Sequence, residues 1–184
     1  MLATDRRPSS ADAAASDVVR DAFREVHGRH LHGFALLLVL GDGARAAQLT
    51  VDALDAAVPH LDELRHPERA AAWLRARVVR SARSVSRVPT RLQPLAELGV
   101  EPAVAGALGT LRLVERAAVI AAVVERLDLR DVATIVGEDG AALDRLLARA
   151  RRRYAAAHAA RAGDEVLPGP LVERIRAEAA RSMR

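Results

Sequence analysis

The chain has 184 residues, of which 51% are hydrophobic and only 2% aromatic, and its 28 basic side chains, all arginine, face 24 acidic ones with no cysteine. Such a length makes one ordinary domain or two small ones, and a core of Leu, Val and Ala favours helices over sheets. Absent cysteine excludes disulfide scaffolds, thiol nucleophiles and thiolate zinc sites; absent lysine excludes the P-loop, Schiff-base and kinase lysines.

Residues 1–15 show little periodicity and read as a disordered arm. Residues 1–10 have no apolar stretch of the kind a secretory signal needs. The apolar run 34–40 is far too short for a bilayer, which needs about 20 residues. The expectation is a cytoplasmic protein without a membrane segment. Ser16 is a candidate N-cap, after which Val18, Val19, Ala22, Phe23, Val26 and His30 recur at helical spacing. The pattern continues through Leu31 and Phe34 to Leu40, and Gly41-Asp42-Gly43 is a turn. A second helix is expected over 44–58, ended by Pro59. Pro67 suits the first turn of a third helix, with Ala70, Trp73, Leu74, Arg77, Val78 and Ala82 on one side. Arg69, Arg75, Arg80, Arg83 and Arg87 fall elsewhere around it.

Pro89, Pro94, Gly99 and Pro102 break any long helix, so 88–102 reads as a flexible linker between domains. Helices are then expected over 103–111, 113–126, 128–136 and 141–161. Asp128 is the candidate N-cap of the third, with Asp131 completing a variant of the capping box. Residues 162–184 read as a break followed by a short helix over 171–182. The fold class is therefore all-α: two small helical domains, 16–87 and 103–161, joined by the linker.

No common catalytic motif is present, and His27, His30 and His32 lack the further ligands that a metal site needs. Neither an enzyme nor a cofactor or metal protein is expected. Two arginine concentrations stand apart. Residues 69–91 carry seven arginines and no acid, and 145–161 carry six and no acid, while the whole chain has a net charge of only +4. Positive charge gathered on helices suits phosphate contact, although a solvated arginine-rich face has the same composition.

Residues 128–154, DLRDVATIVGEDGAALDRLLARARRRY, have the pattern of a helix-turn-helix. Val132, Ala133 and Val136 point inward, Gly137 makes the turn, and Leu143, Leu147, Ala150 and Tyr154 share a face of the second helix. Upstream, Phe23, Glu25, Arg29, His30, Gly41, Asp42, Ala46, Leu49 and Asp52 fall in step with the first conserved region of the sigma-70 family of RNA polymerase sigma factors, extracytoplasmic-function type. Trp73-Leu74-Arg75 and the arginines to Arg87 match its aromatic and basic helix. Leu108, Leu111, Arg116, Asp131, Val132, Ala133, Gly137, Leu147, Arg149, Ala150 and Arg151 match its second region. Over about 18–158, the chain resembles that family.

The resemblance implies a region-2-like bundle and a region-4-like helix-turn-helix, and a function in directing RNA polymerase core to promoter DNA. It implies DNA contacts by Arg75, Arg80, Arg83, Arg87, Asp144, Arg145, Arg149 and Arg152. It implies polymerase contacts by Leu49, Asp52 and Leu54, and leaves room for an anti-sigma partner. The chain departs from the family at Ala47, Gln48 and Val51, where acidic residues and a glutamine are usual, and at Arg112, where proline is usual. It departs again at 141–146, where Asp144 brings negative charge to the expected recognition helix. These departures keep open a second reading, a degenerate sigma-like regulator that binds a protein partner or DNA without initiating transcription.

Overall fold

The computed structural model describes residues 10–84, 95 and 99–162. Most of the expected linker, Arg87 and the expected C-terminal helix lie outside them. Among the described residues the fold is all-helical.

Helix α1 (Ser10–Leu38) starts ahead of the Ser16 cap, so 10–15 belong to a helix rather than to an arm. Its two halves differ. From Leu31 to Leu38 it lies in the core, with Phe34 and Leu38 fully buried, whereas Val18, Val19 and Val26 are exposed. Of the expected inward stripe, Phe23 is partly buried against the core, whereas Ala22 and His30 are exposed; continuous burial begins only at Leu31. Leu40 and Gly41 take left-handed φ values of 60° and 88°, and the Gly41 N–H donates to the Leu36 carbonyl, closing the helix end. Asp42 then caps α2 (Gly43–Ala57), its carboxylate accepting from the Arg45 N–H at 2.9 Å.

Helix α2 buries Ala46, Leu49, Thr50, Ala53, Leu54 and Ala57, and packs against α1 and α3. A 3₁₀ turn (Val58–His60) follows at Pro59. Helix α3 (Pro67–Ser84) contacts α1 and α2 and also the helices over 113–119 and 129–136. It has core on more than one side and buries Ala70, Ala72, Leu74, Arg75, Ala76, Val78, Val79 and Ala82.

Helix α4 (Pro102–Thr110) carries proline in its first turn and is buried from Ala103 to Leu108. Helix α5 (Leu113–Val119) continues into a π turn (Ile120–Val124). Helix α6 (Leu129–Val136) is capped by Asp128, whose carboxylate accepts from the Asp131 N–H at 2.8 Å, as the sequence leads one to expect. Helix α7 (Gly140–Ala162) lies against α4 and α5.

Leu31, Phe34 and Leu38 of α1, Val78 of α3, fully buried Leu95, Ile120 and Tyr154 of α7 belong to one continuous core. In this structure the two expected domains are packed together. The contact is also polar. Arg116 of α5 donates to the Leu38 carbonyl of α1 at 2.6 Å.

Candidate nucleic-acid interface

The turn between α6 and α7 rests on a glycine in the left-handed region. Gly137 sits at φ 73°, donates its N–H to the Ala133 carbonyl at 2.8 Å, and terminates α6. The chain then re-enters a helix after Glu138 and Asp139. Val132, Ile135 and Val136 of α6 and Leu143, Leu146, Leu147, Ala150 and Tyr154 of α7 are buried. Once these residues face the core, the residues between them must face out.

Asp144, Arg145, Arg149 and Arg152 are all exposed. Arg145, Arg149 and Arg152 recur at i, i+4 and i+7 and so line one stripe of α7. The stripe offers three guanidinium forks to a polyanion, with one carboxylate at its N-terminal end. Arg153, though exposed as well, is tied to a buried acid. Its Nη1 donates to Glu115 Oε2 at 2.7 Å, and that carboxylate, only 5% exposed, also accepts from the Arg112 N–H.

The arginines of α3 divide. Arg80 and Arg83 are exposed, and Arg83 Nη2 donates to the Val136 carbonyl at 3.2 Å, at the end of α6. Arg75 differs from the expectation. Its side chain is 8% exposed and forms a two-pronged pair with Glu125, Nε to Oε2 at 2.5 Å and Nη2 to Oε1 at 2.9 Å. Its Nη1 donates to the Ala71 carbonyl, and its guanidinium carbon lies 5.8 Å from the Phe34 ring centre. Every prong is occupied within the fold, so in this conformation Arg75 is not available to DNA. Arg77, read from the sequence as lying on the apolar side, is exposed instead.

The expected polymerase contacts divide similarly. Asp52 is exposed and accepts from Gln48 Nε2 at 2.7 Å. Leu49 and Leu54 are core residues, 4% and 7% exposed, because α2 needs them against its neighbouring helices. Val51, half exposed, is the apolar group beside Asp52 that remains open to a partner.

Two structural residues carry more of this geometry than their sequence positions suggest. Glu125, with no motif to mark it, neutralises Arg75. Arg116, picked out only as a family position, donates to three carbonyls, and burial lowers its pKa to about 10. Among the described residues no three His, Asp or Glu side chains converge to hold a metal ion, and no helix is long and apolar enough to cross a membrane. No protein-family model, curated protein or solved structure matches the chain.

Proposed function

We propose that this is a sigma-like, sequence-directed DNA-binding protein that brings RNA polymerase core to promoters. The observation that carries the reading is the arginine stripe on α7, held outward behind the left-handed Gly137 turn. A helix so placed has the width and charge to enter a major groove, and its arginines reach phosphates or guanine edges. The family resemblance over about 18–158 supplies the polymerase. Asp52 and Val51 on the outer face of α2 are the groups left open for that contact.

Co-purification with polymerase core, followed by run-off transcription, tests the reading. Stable association and a discrete transcript are expected. Replacing Arg145, Arg149 and Arg152 with Ala should flatten the slope of log K against log salt by roughly 0.9 per lost phosphate contact. An unchanged slope would reduce the stripe to a solvated face.

The second reading, a degenerate regulator without initiation, draws on Asp144, which sits exposed where phosphate is expected. DNA or protein binding without a transcript would favour it.

A further inference from the structure

Three features meet where α3 touches the helix-turn-helix half. The Arg75–Glu125 pair is nearly dry, at 8% and 14% exposure. Arg83 donates to the last carbonyl of α6. Glu125 stands at the end of the π turn, its N–H donating to the Ile120 carbonyl, and the next residue, Arg126, takes a left-handed φ of 57°. Arginine rarely adopts that conformation, and a π turn is an uncommon way to end a helix. The segment that delivers the Glu125 carboxylate to Arg75 is therefore locally strained and held by what it touches.

Glu125 presents two oxygens to the guanidinium fork just as a phosphate would. Arg75 and Arg83 belong to the acid-free arginine run that begins at Arg69, yet both are engaged by the other half of the chain.

We propose that the Arg75–Glu125 pair is a latch that holds α3 against the helix-turn-helix half and withholds Arg75 from nucleic acid, while Arg77 and Arg80 of the same helix stay exposed. Opening the latch frees Arg75 and Arg83 to contact phosphates, while the α7 stripe stays exposed in both states. The closed protein thus binds DNA without Arg75, and the open protein adds Arg75 and a released Arg83 to the contact surface. The second step rests on the DNA-binding reading above; the first, that the pair controls opening, does not.

The test uses the full chain. Because it has no cysteine, Arg69→Cys and Thr134→Cys place two spin labels on exposed positions of α3 and α6. Their distance distribution should be narrow with Glu125 present and gain a longer component in Glu125→Gln. An identical distribution in a folded Glu125→Gln variant overturns the latch. Binding of a mixed-sequence DNA duplex is then followed as salt rises. The slope of log K against log salt should steepen by roughly 1 to 2 in Glu125→Gln, as one or two further phosphates are contacted. Glu101→Gln, which removes an exposed carboxylate of the same half, should leave the slope unchanged. Equal steepening in both variants would mean that lost charge, not opening, is responsible, and would overturn the masking.

If Glu125→Gln does not fold, the same two cysteines in the otherwise unaltered chain are bridged with a bis-maleimide matched to the closed distance. Nucleic acid that opens the latch should bind the bridged form more weakly and with a shallower slope than the unbridged form. Equal binding would overturn the proposal. Opening without DNA binding by any form would leave the latch standing and remove the DNA-binding reading.

Discussion

Nη1 of Arg116 donates to the carbonyl oxygen of Leu38 across 2.6 Å, joining α5 to the last turn of a helix 78 residues away in sequence. Its Nε and Nη2 donate to the carbonyls of Leu108 and Leu111, each at 3.0 Å, at the end of α4. The C-terminal ends of helices carry unpaired carbonyls and partial negative charge, so one buried cation satisfies two of them together. Burial holds the guanidinium pKa down to about 10, which still leaves it protonated at neutral pH.

Arg116→Met should therefore remove the donors, leaving the Leu108 carbonyl its bond from the Leu111 N–H but depriving those of Leu38 and Leu111 of the guanidinium, a loss of about 2–4 kcal/mol from charged hydrogen bonds and lost donors. Urea unfolding checks this through the midpoint. Arg116→Lys should recover only part of the loss, because one ammonium cannot reproduce the planar fork. A midpoint unchanged in Arg116→Met would show that the carbonyls find other partners.

Much of this architecture is legible in the sequence. Asp42, Asp128, Gly137 and the prolines are local signals, and local signals mark the helix ends close to where they fall. The site is less legible. Arg75 and Arg77 exchange their expected places because α3 is buried on more than one side, so its apolar pattern spreads too widely to define one inward face. Val18, Val19 and Val26 have core-like spacing, yet they stay exposed, although Phe23 between them packs on the core. Spacing reports a face, not whether a neighbour covers it. Glu125 had no signal, since its role depends on a residue 50 positions away and on a π turn.

His27 should make stability depend on pH. Burial lowers its pKa from 6.5, helped by the nearby positive charge of Arg75 and by His30. The unfolded chain then takes up this proton more readily than the folded one. The contribution is complete above pH 6.5 and is lost as pH falls from there through the folded value. His27→Gln, which cannot charge, should lose less stability than the unaltered protein between neutral pH and pH 5. Chemical denaturation at both pH values decides it; parallel losses would show that His27 does not titrate in that window.

Gly137 supplies a test of the turn itself. A Cβ built there meets nothing within 4 Å, so Gly137→Ala meets no clash and feels only the cost of φ 73°. That cost is about 1–2 kcal/mol for a residue with a Cβ. Thermal unfolding should show the loss, and Gly137→Asn should show a smaller one, because asparagine tolerates this conformation better. An unchanged midpoint in both variants would mean that α6 can end another way.

Asp144 divides the two functional readings. It is exposed in the second turn of α7, immediately before Arg145, the first arginine of the stripe. In a major groove its carboxylate has two possible fates. It accepts from a cytosine amino group, which makes it a sequence reader, or it faces phosphate and repels it. Ala141 and Ala142 beside it offer no side-chain hydrogen bond that would fix a base contact, so repulsion is the expected case. Asp144→Lys should then tighten duplex binding, and the gain should shrink as salt screens the added charge. Placing a cation near a helix N-terminus costs stability, about 0.3–1 kcal/mol, so folding is followed beside binding. If Asp144→Lys instead weakens binding and shifts the footprint, Asp144 reads a base and sequence-directed promoter recognition gains strength. If neither form binds duplex DNA at low salt, the arginine stripe serves a protein partner, and the regulator without initiation becomes the better account.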